Sequence, residues 1–296
     1  MTLTRVTQQM MTSRSLSSLQ TSLGRLAKTQ EQLSSGRVLN RPSDSPTDTT
    51  SAMRFRASMA AQAQYSRNAQ DGLGWLGQID TTLTSMLGQV NRARDLGLQG
   101  VNTVNMAPQA REALATEVDQ LRKSLLGEAN TTYLGRPVFG GLVNGKAAYA
   151  ADGSFVGVPG QVQRTVGEGT KVPVNVDGPD VFGPAGADLF SDLAKLSDAL
   201  RAGDTAGVQT QLASLDGALG RVTATLSGVG SRVNRLEHAD QVARDSQLSL
   251  TTALTEVENV DITKASLDLQ MNQVAYQASL SAAARLVQPS LAEFLR

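Results

Sequence analysis

The sequence predicts a mainly α-helical fold with a β-rich insertion, in which N- and C-terminal segments pair as a long antiparallel helical bundle or coiled coil. Near both ends of the 296-residue chain, apolar residues recur at steps of three and four, the spacing of a packed helix face. Between them, glycine and proline separate short runs of β-forming residues, which is typical of hairpins. We therefore expect the chain to run through helices to a small β-rich subdomain at the far end, and back through helices.

The first helical pattern lies near the N-terminus. Its leucines alternate steps of three and four, with Gln30 as one polar interruption. This stripe consists of Leu16, Leu19, Leu23, Leu26 and Leu33.

A stretch rich in serine, glycine and proline follows this helix and predicts a shaped joint. Gly36 permits a break in the backbone, and Pro42 biases the preceding residue toward an extended conformation. Ser45 is placed to cap the next helix. The joint comprises Gly36, Asn40, Arg41, Pro42, Ser45 and Pro46. Its arginines either contact neighbouring subunits or face solvent.

The longest helical pattern lies in the second half of the chain. Its eight apolar positions alternate steps of three and four without a miss, which predicts one long packed helix. They are Leu212, Leu215, Leu219, Val222, Leu226, Val229, Val233 and Leu236. The register continues through Asp240 and Gln247, whose polar side chains either fix the register or face water.

A last helix is expected to start near residue 260, where Asp261 or Thr263 can cap it. We predict that the N-terminal leucines pack against an apolar stripe on this helix and that neighbouring copies complete the burial. The stripe consists of Leu267, Met271, Val274, Ala278 and Leu286.

The middle of the chain predicts short strands separated by Asp-Gly, Pro-Gly and Glu-Gly turns. The β-type runs are 137–143, 154–158, 161–166 and 171–176. Three domains follow from this order: a terminal coiled-coil domain (1–40 and 258–296), a helical rod domain (41–130 and 191–257) and a β-rich variable insertion (131–190).

Composition narrows the classes of function. Aromatic residues are 4% of the chain, so burial is expected to come mainly from Leu, Val and Ala. The net charge is zero, which gives no general attraction to nucleic acid. Residues 1–70 hold nine basic and three acidic side chains, whereas residues 176–296 hold nine basic and fifteen acidic ones. This asymmetry reflects either solvated faces or attraction between the two ends.

The residues give no support for an enzyme. Cysteine is absent and His238 is the single histidine, so no thiolate or paired-histidine metal site is available. A G-x-G-x-x-G match at 72–77 lies within a helical pattern, whereas a dinucleotide site needs a preceding strand. No uncharged apolar run approaches the ~18 residues of a membrane span. We therefore expect no catalytic residues, metal, cofactor or membrane insertion.

Three segments, in the same order along the chain, resemble the bacterial flagellins and flagellar hook-associated proteins. Residues 33–47, LSSGRVLNRPSDSPT, are similar to the motif that closes the first helix of that family. Residues 129–141, ANTTYLGRPVFGG, resemble its turn into the β region. Residues 254–295 are similar to its C-terminal helix. Within the family, residues 5–11 and 71–83 resemble the hook–filament junction proteins more than the flagellins.

The resemblance implies a structural protein that forms an axial ring between hook and filament. It implies export in unfolded form through the flagellar type III system, without a cleavable signal peptide, to an extracellular flagellum. The implied partners are other copies of the chain, the hook-side junction protein, flagellin and a cytoplasmic chaperone on the C-terminal helix. Two alternatives stay open: a filament-forming flagellin, and an unrelated secreted coiled-coil adhesin or translocator.

Overall fold

The computed structural model of the chain describes residues 2–102, 107–145 and 147–287. The helices are α1 (Thr2–Ser35), α2 (Pro46–Asn102), α3 (Pro108–Ala129), α4 (Gly178–Phe182), α5 (Leu189–Ala202), α6 (Thr205–Glu258) and α7 (Ile262–Val287). The strands β1 (Thr132–Tyr133), β2 (Arg136–Pro137), β3 (Gln163–Gly167) and β4 (Thr170–Pro173) form two separate antiparallel hairpins. The predicted mainly α-helical fold with a β insertion is confirmed.

Local chemistry explains where several helices begin. Pro108 opens α3, where its missing N–H leaves no helical hydrogen bond unmade. Asp261 caps α7, since its Oδ1 accepts hydrogen bonds from the backbone N–H groups of Thr263 (2.9 Å) and Lys264 (3.1 Å). The cap predicted near residue 260 is therefore confirmed for the aspartate.

The chain divides into two compact units. The first consists of Met1–Ala60 and Leu248–Arg296, and the second of Ala61–Gln247. The first unit therefore includes the first turns of α2 and the last turns of α6, in addition to α1 and α7. An ion pair between Arg56 and Glu258, 2.6 Å long, links those turns of α2 and α6. The two units thus divide after residue 60 in α2 and after residue 247 in α6, whereas the predicted domains divide after residues 40 and 257.

The second unit holds the hydrophobic core. Side chains from α2, α3, α5, α6 and the β region form one cluster of buried residues. Aromatic rings occupy its β-region side: Phe190 lies 5.0 Å from Tyr149 and 5.4 Å from Phe182, and Phe139 lies 5.2 Å from Phe182. The expectation of a core built mainly from Leu, Val and Ala holds for the helices but is wrong for this cluster.

The eight apolar positions of the long helical pattern all lie on the core side of α6. Leu212, Leu215, Val222, Val229 and Leu236 are buried, and Leu219, Leu226 and Val233 are partly buried against the same cluster. Asp240, which continues this register, is 9% exposed. Its Oδ1 accepts a hydrogen bond from the Ser66 hydroxyl on α2. The sequence left open whether Asp240 fixes the register or faces water, and in the structure its side chain lies toward α2 rather than toward water.

The β region contains less regular strand than the sequence patterns predict. The predicted runs 161–166 and 171–176 correspond to β3 and β4, but 137–143 and 154–158 form mainly isolated bridges, such as Gly141 with Val158. Asn130 organises this segment, because its Oδ1 accepts from the backbone of Ala148 and Tyr149 and its Nδ2 donates to the Tyr149 carbonyl. Side-chain hydrogen bonds therefore replace part of the expected ladder.

Within the described ranges, none of the helices is long and apolar enough to span a membrane.

Candidate assembly surface

The terminal helices α1 and α7 lie side by side and antiparallel in the first unit. Their contact is polar at its centre: Thr29, 9% exposed, accepts a hydrogen bond from Asn272 Nδ2 at 3.1 Å. Half-buried residues on α1 share the face of Thr29 at helical spacing, and Ala265 and Tyr276 lie on the corresponding face of α7. Small and polar side chains thus form much of this helix contact.

The N-terminal leucines divide between two faces of α1. Leu19, Leu26 and Leu33 are half-buried on the face of Thr29, as predicted for a helix that packs on α7. Leu16 and Leu23 are 57% and 48% exposed, so the prediction that they pack within the chain is wrong. Leucines spaced alternately by three and four residues spread across a broad stripe of the helix surface. The contact with α7 covers only part of that width, so the leucines at one edge of the stripe stay exposed.

The predicted stripe on α7 lies on the exposed face of that helix. Leu267, Met271 and Val274 are 58%, 62% and 66% exposed, and Ala278 is exposed as well. The prediction that these four residues pack against α1 is therefore wrong. The side chain of Leu286 lies outside the described residues.

The physical reason is that α7 has two stripes at helical spacing. One combines Ala265, Leu269, Asn272, Tyr276 and Ser279, and it is buried or half-buried. The other stripe, which includes Leu267, Met271 and Val274, faces outward. Periodicity alone favours the more hydrophobic stripe and so selects the wrong one for the contact within the chain. The terminal pair consequently presents exposed apolar side chains on both helices, among them Leu16 and Leu23 on α1. Leu267, Met271 and Val274 share one side of α7, and we call these three residues the outer apolar face.

The joint after α1 is tied to the junction of α6 and α7 by backbone hydrogen bonds. Gly36 has φ of 70°, and its carbonyl accepts from Val260 N at 3.0 Å. Val38 N donates to the Glu258 carbonyl at 2.8 Å. Ser45 Oγ accepts from Asp48 N at 3.4 Å, which confirms the predicted cap at the start of α2.

Asp44 holds the joint together, although the sequence interpretation gave it no role. Its Oδ2 accepts from the backbone N–H groups of Asn40 (3.2 Å) and Arg41 (2.9 Å), and its Oδ1 lies 3.1 Å from Lys28 Nζ. The hydrogen bond from Arg41 and then the Lys28 contact hold the pKa of Asp44 below its ordinary value. Its position just after a proline turn is the signal that was available, because an aspartate there can reach back to free N–H groups.

A surface cleft of about 230 Å³ lies beside the joint. Arg37, Arg41, Pro42, Met53 and Arg56 line it, with Asn40 and Glu258 among the other lining residues. Arg41 Nη2 lies 3.4 Å from Glu31 Oε1, and both side chains are exposed. Three arginines thus line the cleft, and Arg37 and Arg41 are exposed in the single chain, where either predicted environment is open to them.

The other sequence candidates have structural explanations. The glycines at 72–77 lie inside α2, where a Cβ on Gly74 would collide with the Tyr133 hydroxyl. His238 is exposed on α6. Glu258 is 8% exposed and forms an ion pair with Arg56. Across the described ranges, no group of three or more His, Cys, Asp or Glu side chains is placed to hold a metal ion.

Family models match both ends of the chain. The model of the bacterial flagellin N-terminal helical region matches residues 6–142, and that of the C-terminal helical region matches residues 212–295. Flagellar hook-associated protein 3 of Escherichia coli is 25% identical over 303 residues, covering 94% of this chain and 95% of that protein. Flagellin of Bacillus subtilis is 27% identical over 265 residues, covering 85% of this chain and 86% of that protein.

Solved structures share the fold. A putative flagellar hook-associated protein from Vibrio parahaemolyticus matches with a TM-score of 0.68 at 21% identity, covering 73% of this chain and 100% of that structure. FlgL from Bacillus cereus matches with a TM-score of 0.61 at 23% identity, covering 68% of this chain and 99% of that structure.

Proposed function

This chain belongs to the bacterial flagellin family, and we propose that within the flagellum it forms the structural junction between hook and filament. The observation that carries this proposal is the match to flagellar hook-associated protein 3 over nearly the whole length of both chains. The flagellin match is slightly higher in identity but leaves more of both chains unmatched.

We propose that the outer apolar face is where copies assemble. Leu267, Met271 and Val274 lie on one side of α7 and are all more than half exposed. Burying one such side chain stabilises a contact by roughly 1.5–3 kcal/mol, so several together favour association strongly. Because isolated helices are marginal in water, α1 and α7 are expected to gain much of their stability from neighbouring subunits.

The proposed partners are other copies of this chain, the hook-side junction protein and flagellin. The basic cleft beside the joint adds Arg37, Arg41 and Arg56 as charged groups for those contacts. We further propose export in unfolded form without a cleavable signal peptide, a cytoplasmic chaperone on the C-terminal helix, and an extracellular site in the flagellum. These last proposals are supported by family membership and by the exposed apolar stripe of α7, which needs covering before assembly.

Deleting the gene in its host tests the junction assignment. The expected mutant has hooks without filaments and sheds flagellin into the medium, and the wild-type gene on a plasmid restores attached filaments. Hooks and attached filaments in the deletion strain would contradict the proposal.

A filament-forming flagellin is the second candidate, favoured by the identity to Bacillus subtilis flagellin. The purified chain is expected to form no long filaments alone, as judged by electron microscopy, whereas a flagellin polymerises. The adhesin or translocator alternative has no support, because both terminal models of the flagellin family match.

A further inference from the structure

The hairpin of β1 and β2 ends in a strained turn. Tyr133 pairs with Arg136, so Leu134 and Gly135 form a two-residue loop. Both have positive φ, 47° at Leu134 and 78° at Gly135, as a type I′ turn requires. Asn or Asp is favoured at the first position, because a larger side chain crowds its own backbone in the left-handed region. In the described part of the chain, Leu134 is the one non-glycine residue with positive φ.

The side chain of Leu134 does not offset this strain by packing within the chain. The residue is 77% exposed, the highest value among the exposed large hydrophobic residues described. Leucine here therefore costs stability through its backbone and also places apolar surface in water. A residue with both costs and no packing role in its own chain is typical of a contact with another molecule.

The turn is held in place by a clamp at its base. The Tyr133 ring stands edge-on to Trp75 with the ring centroids 5.5 Å apart, and Arg136 lies over the same indole at 5.8 Å. Trp75 is 2% exposed and belongs to the core of the second unit. The base of the turn is therefore anchored to the core, which lowers the entropy lost when the turn binds.

We propose that Leu134 is an apolar anchor that inserts into a cleft on a second copy of this chain. This inference rests on the proposed function, because a ring places identical copies side by side. In a ring, each copy uses one surface patch to contact the previous copy and a different patch to contact the next one. A single large side chain on a rigid turn suits a protein pocket, where it becomes fully desolvated.

The second unit also carries a cleft suited to this anchor. It has a volume of about 440 Å³ and lies among the β-region loops. Tyr149, Phe155, Pro179 and Ala185 give it apolar walls, and Asp152 lies among the polar residues that line it. Asp152 is exposed, and Arg136 lies next to the anchor turn, so the two surfaces also complement each other in charge.

Replacing Leu134 with Asn separates strain from binding. Asn tolerates the left-handed region, so L134N is expected to raise the melting temperature of the purified full chain by about 2–4 °C. The same variant loses the anchor, which weakens each contact by about tenfold and reduces the filaments attached per cell. An unchanged or lower melting temperature contradicts the strain, and normal attachment contradicts the anchor.

Leu98→Asn is the matched control. Leu98 is 37% exposed in the helical backbone of α2, so losing it relieves no positive φ. L98N is expected to lower the melting temperature slightly, because Asn is a poorer helix former, and to leave attachment normal. If L98N reduces attachment as much as L134N, Leu134 has no special role.

Disulfide crosslinking identifies the occupant, because the chain has no cysteine of its own. L134C and A185C are expressed separately and together in the deletion strain, and isolated flagella are mildly oxidised. A crosslinked dimer only in the mixed strain supports the proposed contact. A dimer with L134C alone indicates a symmetric contact, and an adduct with another flagellar protein indicates another partner; either result overturns the proposal, as does the absence of any crosslink in intact flagella.

These outcomes are distinguishable from failure of the junction assignment. If the deletion strain keeps attached filaments, the proposed function fails and the attachment assay loses its basis. If the deletion strain has bare hooks but L134N complements fully, the anchor alone fails.

Discussion

The same apolar spacing has opposite outcomes in the two units of the molecule. In the second unit, the stripe on α6 from Leu212 to Leu236 packs against a core of helices and aromatic rings. In the first unit, the corresponding stripes on α1 and α7 leave Leu16 and Met271, among others, more than half exposed. Periodicity therefore predicts that a helix face needs a partner, but it does not say whether that partner lies in the same chain.

The contacts that are made within each unit differ in kind. The second unit is held by large side chains, such as Phe182 and Phe190, with no exposed surface. The α1–α7 contact includes a hydrogen bond between Thr29 and Asn272 and small residues such as Ala265. Leu267, Met271 and Val274 are left exposed on α7, which is the arrangement expected of a subunit completed by its neighbours.

The largest effect is expected from charging the outer apolar face. Replacing Leu267 and Val274 together with Asp puts two charges where burial in the assembly is proposed, and burying unpaired charges is strongly unfavourable. Attached filaments should be lost in a deletion strain that carries only this variant. The urea transition reported by Trp75 fluorescence should stay unchanged, because both substituted residues lie in the first unit and Trp75 lies in the second.

The matched control places the same charges on exposed apolar residues of the second unit. Leu98→Asp with Val242→Asp changes residues that are 37% and 48% exposed. Filaments should stay attached. Equal loss in both double variants would remove the distinction between the two units.

Truncating an aromatic ring of the core should have the largest effect on folding. Phe190 is fully buried and contacts Tyr149 and Phe182, so Phe190→Ala should lower the free energy of unfolding by about 3–5 kcal/mol. Urea denaturation followed by the fluorescence of Trp75, the one tryptophan, reports on this unit. Leu267→Ala is the comparison and should change the same transition by less than about 0.5 kcal/mol. A similar loss from both variants would mean that the two units share one core.

The sequence predicted the parts of the fold that depend on local pattern. The α6 stripe follows from spacing, and the caps by Ser45 and Asp261 each follow from local hydrogen bonding. The exposed stripe of α7 was assigned to the wrong contact, because which face is covered depends on a second helix. The aromatic cluster was missed, because composition does not reveal where six phenylalanines and four tyrosines meet.

The joint after α1 was predicted only in part. Its glycine, prolines and cap were predictable, whereas Asp44 was not assigned a role because its contacts depend on how the turn closes. Lys28 reaches Asp44 from the preceding helix, so the turn is fixed by one residue outside the quoted motif. The role of Asp44 was missed because the sequence does not show that Lys28 lies next to it, although the chemistry of both residues was known.

A polar position in the second unit should show a pH-dependent effect. Burial by itself raises the pKa of Asp240, but hydrogen bonds from Ser66 and Arg244 outweigh it and leave the pKa below its ordinary value of 3.8. A lowered pKa in the folded state stabilises the fold above the ordinary value, and that stabilisation is lost as pH falls through the folded pKa. Asp240→Asn should therefore lower the free energy of unfolding by about 1–2 kcal/mol at pH 7.

The difference between Asp240→Asn and wild type should shrink as pH falls below 3.8, because the carboxyl of the unfolded chain then gains its proton before the carboxyl of the folded chain does. Urea denaturation at pH 7 and at pH 3, followed by Trp75 fluorescence, measures both values. A penalty that is the same at both pH values would mean that shape, and not charge, makes Asp240 important.

The smallest effect is expected from removing the side chain of Ser45, which caps α2 in the first unit. The matching change in the second unit removes Asp188, which caps α5. Asp188 is buried and forms a capping box with Ser191, accepting from Phe190 N and Ser191 N at 3.0 Å each. Ser45 caps α2 through one longer hydrogen bond of 3.4 Å in exposed surroundings. Asp188→Ala should therefore cost about 1–2 kcal/mol, and Ser45→Ala about 0.5 kcal/mol.

Trp75 fluorescence in urea measures the Asp188 variant, whereas hydrogen exchange measures Ser45→Ala, because its effect is local to the start of α2. The amide of Asp48 loses its acceptor and should exchange about two- to threefold faster, while amides in the middle of α3 stay unchanged. Equal costs at the two caps would show that burial does not separate the units as proposed. A larger cost at Ser45 would place more of the first unit's stability within the single chain, and would weaken the case that neighbouring copies supply it.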